Sequence, residues 1–297
     1  MYSEIASNKR RSVILMMFFV AIIIGLGYIF SRASGDTTYG MVWVAIIFSL
    51  FSTSISYFHG DKIALWTSGA KPIIKEDSPY VYRLVENLCI ANGTPTPKIC
   101  IIEDSAINAF ATGRKPELAS IAVTRGAIEK LTNEELEGVL AHELSHVKNY
   151  DIRFMTLVAV LVGSISILAN IFLRSRWFMG GRRDDRGGGN QIAAIFMIVG
   201  IVLAILSPII AELIKLAISR RREYLADASG SLLTRYPEGL AKALEKIAAE
   251  NQPLKTASTA TAHLFIANPF SAKSLANIFS THPPIEERIK RLRGMGA

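Results

Sequence analysis

Cysteine is nearly absent: the chain of 297 residues has two, Cys89 and Cys100. They are too few for a disulfide framework and lack the spacing of a zinc knuckle, so both are expected to be reduced core thiols. Histidine is also scarce, at five, which gives weight to any two that stand at a chemically meaningful spacing. Aromatic residues do not interleave with basic runs, so the net charge of +8 does not read as nucleic-acid binding. Charge is missing altogether from several long stretches. With 50% hydrophobic residues and a mean hydropathy of +0.31, part of the chain is expected in lipid, and the basic excess fits a membrane surface.

The first uncharged run, Val13 to Phe30, follows Lys9, Arg10 and Arg11. At about 1.5 Å per residue it is long enough to approach the roughly 30 Å of bilayer hydrocarbon. It is too long for the apolar region of a cleaved signal peptide, the rival reading. Met41 to Phe58 is a second such run, and the short connection carries only Arg32 and Asp36. The basic amino terminus is therefore expected in the cytoplasm, and the chain after the hairpin returns there. Further apolar runs, Phe154 to Leu173 and Ile192 to Ala211, flank an Arg/Gly-rich stretch. As a spanning hairpin they would put Arg174, Arg176, Arg182, Arg183 and Arg186 outside, against the positive-inside rule; lying in the interface or over the active site is the alternative. Two crossings are favoured.

From Asp61 the composition is that of a soluble domain. Val81, Leu84, Val85 and Leu88 have helical spacing, and Asn92-Gly93-Thr94-Pro95 ends that helix. Lys98 to Ile102 and Ser120 to Thr124 read as short buried strands, with Gly113 and Pro116 in the turn region between them. A sheet edge ahead of a catalytic helix would let an extended peptide add as a further strand. Pro253 to Phe270 lacks periodicity and is expected to be a mobile loop, with its His263 structural or exposed; His59 reads as interfacial. Ile285 to Leu292 reads as a basic helix packed on the domain.

The chemistry is concentrated in His142-Glu143-Leu144-Ser145-His146. Positions four apart on a helix share a face, so both imidazoles can reach one ion, and Glu143 stands where it can take a proton from water. Thr132 and Glu135 form a capping box for that helix, and Leu136, Val139, Leu140, Leu144 and Val147 supply its core stripe. A third ligand is needed. In Arg220-Arg221-Arg222-Glu223-Tyr224-Leu225-Ala226-Asp227, Glu223 can complete a His₂Glu site, and Asp227 can accept the second ring proton of a ligating histidine.

These residues, together with Asn108-Ala109-Phe110-Ala111-Thr112-Gly113 and Ser280-Thr281-His282-Pro283-Pro284 followed by Glu287-Arg288, resemble the HtpX-type membrane zinc metalloproteases, relatives of the type I CaaX prenyl proteases. The resemblance covers nearly the whole chain. It implies a multi-pass protein of a prokaryotic cytoplasmic membrane, with its amino terminus and active site in the cytoplasm, degrading misfolded or damaged membrane proteins in a stress response. It maps the zinc ligands, for one Zn²⁺ per chain, to His142, His146 and Glu223, and the catalytic base to Glu143. Asn108 matches a position that holds the substrate backbone. His282 and Arg288 match residues near the cleft, where a donor could stabilise an oxyanion; His282 could instead cap a turn and Arg288 could pair with Asp227.

The expected fold is an α+β zincin-like catalytic domain with a small sheet, fused to membrane helices and mostly helical. Residues 1–60 form the first transmembrane hairpin. Residues 61–153 are the first part of the catalytic domain, 154–218 a second apolar hairpin with its Arg/Gly-rich loop at 174–190, and 219–297 the second catalytic part. The expected partners are protein substrates and the lipid bilayer, with no nucleic acid. Two other functions remain open: a CaaX-type processing protease, disfavoured by four spans, and a membrane adaptor in which zinc is structural, disfavoured by three ligands beside a free Glu.

Overall fold

A computed structural model describes residues 2–33, 35–179, 220–250, 252–258, 260–270 and 283–295. The predicted fourth apolar run, most of the Arg/Gly-rich loop and His282 lie outside the described residues.

Two long helices open the chain, α1 (Tyr2–Ala33) and α2 (Gly40–Thr67). They extend the predicted runs at both ends, and α2 continues unbroken through the predicted boundary at 60–61 to deliver the chain to the sheet. Phe19 and Ile23 of α1 and Ala45 of α2 pack with Phe154, Val158, Leu161 and Ile165 of α6 (Asp151–Met179). Their outer faces stay apolar: Met17, Trp43, Ile47, Leu50 and Phe51 are all more than half exposed. Such a surface would associate in water and is the expected exterior in lipid. Among the described residues, two helices are long and apolar enough to cross a membrane, or three if the sharply bent pair of α5 (Asn133–Lys148) and α6 is one span.

The sheet has four strands, β1 (Ala70–Pro72), β2 (Lys98–Ile102), β3 (Ala109–Thr112) and β4 (Ser120–Thr124), in the order β1-β2-β4-β3. β2 and β4 match the predicted strands residue for residue. They are parallel and central, and β1 and β3 flank them antiparallel. Both faces are covered, which is why neither strand alternates polar with apolar. Ile99, Ile121 and Val123 face α3 (Pro79–Asn92), α5 and the carboxy-terminal helices, and the short α4 (Arg125–Lys130) follows β4 directly. Cys100, Ile102 and Ala122 face Ala64 of α2, Met155 and Ala159 of α6, and Leu254, Leu264 and Phe265. Both cysteines are buried thiols.

The structure corrects two expectations. Between the two expected strands, where only a turn region holding Gly113 and Pro116 is expected, residues 109–112 form β3, and this strand rather than β2 or β4 is the edge nearest the histidine helix. The expected loop at Pro253 to Phe270 is instead, over the described residues 253–258 and 260–270, a strap across that edge, in which Ile266 donates its backbone N–H to the Ala109 carbonyl and Phe265 packs edge-on to Phe110. His263, buried in the strap, contacts the Met155 carbonyl through Nε2 at 3.0 Å.

Candidate metal centre

Helix α5 starts at the predicted capping box: Thr132 accepts from the Glu135 N–H, and the Glu135 carboxylate accepts from the Thr132 N–H. Burial surrounds the helix instead of following one stripe. Leu136, Leu140 and Leu144 face the core, while His142, Glu143 and His146 are almost as deeply enclosed on the other side. Helices α7 (Arg220–Thr234) and α8 (Pro237–Glu250) pack around it, α9 (Ile285–Arg293) packs on those two, and together they bring the distant groups in.

His142, His146 and Glu223 each offer one ligand atom, all within 4.8 Å of one another. The two Nε2 atoms stand 3.2 Å apart, and they lie 3.8 and 3.7 Å from the Glu223 oxygens. Ligands at about 2.0–2.1 Å from a tetrahedral zinc would be separated by about 3.3 Å, close to these values. The ring orientations point the same way. His142 Nδ1 is 2.9 Å from Asp227 and His146 Nδ1 is 3.1 Å from Asp151. A carboxylate only accepts, so both Nδ1 atoms carry hydrogen, and two neutral rings then aim their Nε2 lone pairs at each other. A cation then has to lie between them, a metal ion when one is bound and otherwise the Nε2 proton that His146 keeps in the metal-free protein. Four buried carboxylates, Glu143, Asp151, Glu223 and Asp227, face two buried guanidiniums, Arg222 and Arg288. With all four carboxylates ionised two negative charges remain; the His146 proton offsets one in the metal-free protein, and a divalent ion would offset both.

The protonation equilibria of the metal-free protein follow from the same contacts. Burial lowers His142 to about 4, against the pull of Asp227. Burial also opposes protonation of His146, but Asp151 and Glu223 outweigh it and raise that ring to about 9. Glu143 is pushed up to about 7, chiefly by burial, with Glu223 adding to the rise and His146 and the Ala111 backbone N–H opposing it. Asp227 resists its burial and is held at about 2 because Arg288 and His142 surround it. A carboxyl that titrates near neutrality beside a site where water can bind is suited to move protons.

The other predicted residues are placed differently. Arg288 is fully buried and grips Asp227 with two hydrogen bonds, Nε to Oδ2 at 2.9 Å and Nη2 to Oδ1 at 2.7 Å, while Nη1 donates to the Ile266 carbonyl of the strap. Asn108 is buried and committed to its own chain, donating to the Ala267 carbonyl and accepting from the Ala109 N–H. Three polar groups were missed from the sequence: Asp151 behind His146, Arg222 at 3.5 Å from Asp151, and Asn8 on α1. An Asp five residues after the second histidine was the available signal for the first. Nothing local pointed to Asn8.

Close packing of α7 on α5 depends on Gly230, where an added Cβ would lie 3.0 Å from the His142 backbone nitrogen. Gly230→Ala is expected to push the helices apart, cost about 1–3 kcal/mol and weaken metal retention, because Glu223 rides on the displaced helix. Thermal melts with and without added metal would measure both effects. An unchanged metal dependence would separate Gly230 from the ligand geometry.

Comparison with known proteins supports this chemistry. Residues 75–296 match the family described as Peptidase family M48. Proteins described as "Protease HtpX homolog" match nearly end to end: one from Dictyoglomus turgidum is 45% identical, over 99% of this chain and 95% of its own. Another from Syntrophobacter fumaroxidans is 47% identical, over 97% and 99%. Among solved structures, S. mikatae Ste24p superposes with a TM-score of 0.53 at 19% identity, over 98% of this chain and 67% of that one, a likeness of fold. The chain therefore belongs to peptidase family M48 and is a membrane metalloprotease of the HtpX type.

Proposed function

We propose that this metalloprotease is a zinc endopeptidase that cleaves misfolded or damaged membrane proteins from the cytoplasmic side of a prokaryotic inner membrane. The observation that carries the reading is the pair of histidines whose Nδ1 atoms are each held by a carboxylate and whose Nε2 atoms converge with Glu223.

His142, His146 and Glu223 would hold the ion, with Glu143 left free of the ligand set. When bound, zinc supplies Lewis acidity that polarises a carbonyl and favours ionisation of water near neutral pH. Glu143 takes the proton from water and later gives it to the leaving amine, as base and then acid. Asp227 and Asp151 keep the ring N–H groups outward so that Nε2 faces the ion. The Ala111 N–H, on the edge strand, faces the Glu143 carboxylate, next to the Ala109 and Phe110 positions that the strap occupies. Asn108 acts through the strap, and Arg288 through Asp227.

Orientation follows from charge. Lys9, Arg10 and Arg11 stand at the end of α1 nearest the metal centre, where the Lys9 ammonium lies 4.5 Å over the Tyr150 ring. By the positive-inside rule that end, and the site with it, is cytoplasmic. An apolar cavity of about 290 Å³ between α2, α6 and the strap, lined by Phe48, Phe51, Ile55 and Val160 among others, supports entry of apolar segments from the membrane.

The test is cleavage of casein by detergent-purified protein, comparing metal-free, zinc-restored and cobalt-restored samples. Hydrolysis that disappears with chelation and returns with zinc is the expected outcome. A full zinc complement with no cleavage of casein or of any denatured membrane protein would overturn the broad quality-control role.

A further inference from the structure

We infer that Asn8, on the first membrane helix, is a positioning residue of the metal centre: through Asp151 it fixes the ring of His146, so α1 is part of the site's framework as well as an anchor. The inference rests on His146 being a metal ligand.

Asn8 is only 1% exposed. Its amide nitrogen donates to Asp151 Oδ1 at 2.6 Å and to the Asn149 carbonyl at 2.9 Å. Both partners are acceptors, so the NH₂ group must be the one that faces them, and the assignment of the amide is determined by its surroundings. Asp151 uses its other oxygen on His146 Nδ1, at 3.1 Å. The path from membrane helix to ring is therefore two hydrogen bonds long.

The place where Asn8 binds explains why an amide is used. Helix α5 ends at Lys148 and α6 begins at Asp151, at a bend of 85°. Tyr150 adopts the left-handed conformation, φ 61°, to make that corner, which is uncommon for a residue with a bulky side chain. The corner aims Asp151 back at His146. Asn149 carries one of the terminal carbonyls of α5 that has no partner within the helix. One amide thus ties the end of the histidine helix to the start of the next, across the strained corner.

Anchoring alone does not need this contact. Apolar packing of Phe19 and Ile23 on Phe154 and Leu161 already joins α1 to α6, and burying this amide costs free energy, since its NH₂ makes both bonds while its Oδ1 has no partner among the described residues. The neighbours reinforce the placement: Ser12 Oγ donates to the Asn8 carbonyl at 2.8 Å, and Arg222 approaches the same Asp151 oxygen from α7.

The experiment is a double-mutant cycle in the full chain, reconstituted in nanodiscs, with Asn8→Ala, Asp151→Ala and the pair. Two readouts are followed: the rate of metal loss to a chromogenic chelator, and the visible absorption bands of the Co²⁺-loaded protein. Asn8→Ala is expected to speed metal loss about 3–10-fold and shift the cobalt bands, at or below the roughly 10–100-fold seen for groups that contact a ligating histidine directly. In the Asp151→Ala background it should add almost nothing. Asn8→Asp, of the same shape, sets carboxylate against carboxylate and should release metal faster still; it replaces Asn8→Ala in the cycle if that variant fails to fold. Unchanged metal loss, or effects that simply add, would overturn the inference. His146→Ala is the separating control: if it holds metal as tightly as the parent, the ligand assignment itself fails, whereas a weakened His146→Ala beside an additive cycle removes only the role of Asn8.

Discussion

Glu143→Gln is expected to retain a full complement of zinc and to lose peptide hydrolysis by about 10²–10⁴-fold, the range for removing a general acid–base group. The substitution preserves the shape of the side chain and leaves His142, His146 and Glu223 untouched, so the proposed ligand set is complete. It replaces a carboxylate by an amide that cannot accept a proton from water. The Ala111 N–H that faces the carboxylate can still donate to the amide oxygen, which keeps the edge strand in place. Measuring bound zinc and kcat on the same preparation separates the two effects. Activity within a factor of a few of the parent, at equal zinc, would remove Glu143 from the reaction; loss of zinc would make it a ligand or a structural element instead.

Arg288→Met is expected to be among the most destabilising single changes in the catalytic domain, at about 3–5 kcal/mol, because it leaves the buried Asp227 carboxylate without its guanidinium. Arg288 has no exposed surface and also holds the strap at Ile266. One residue therefore ties together α7, α9 and the segment that covers β3. Arg288→Lys should recover little, since an ammonium cannot make the paired hydrogen bonds of the guanidinium fork. The pH dependence of the metal-free protein gives a second signature. Asp227 is held at about 2, below its usual value of about 3.9, so its contribution to stability is present above pH 4 and is lost as pH falls towards 2. In Arg288→Met that acid-sensitive part should shrink. A variant as stable as the parent, with the same acid transition, would show that neighbouring groups or water replace the arginine.

Both predictions concern groups that differ in how far local sequence could reveal them. The histidine pair, its glutamate and the capping box lie within a few residues of one another, and helical geometry converts that spacing into a shared face without help from the rest of the fold. Strands β2 and β4 were equally legible, because short runs of β-branched and apolar residues bounded by turn signals have few other uses. Membrane helices α1 and α2 follow from uncharged length.

Other features had no local signal. Strand β3, Ala-Phe-Ala-Thr, is too short and too poor in β-branched residues to read as a strand, and it becomes one by pairing with β4. Its edge is covered by residues from the far end of the chain. The strap, residues 253–258 and 260–270, has no periodicity because its order comes from what it lies against. The capture of Asp227 by Arg288 joins residues 61 positions apart, and that of Asp151 by Asn8 joins residues 143 apart.

The sequence by itself thus determined the candidate chemistry, a histidine pair spaced to share one metal ion with a glutamate beside it, and the presence of membrane helices, since spacing and uninterrupted apolarity are properties of contiguous residues. Only the tertiary structure decided which groups orient each histidine. Hydrogen bonds between distant segments depend on how helices pack, and the sharp corner after α5 turns Asp151 back towards His146 while the membrane helix supplies the amide that holds it there.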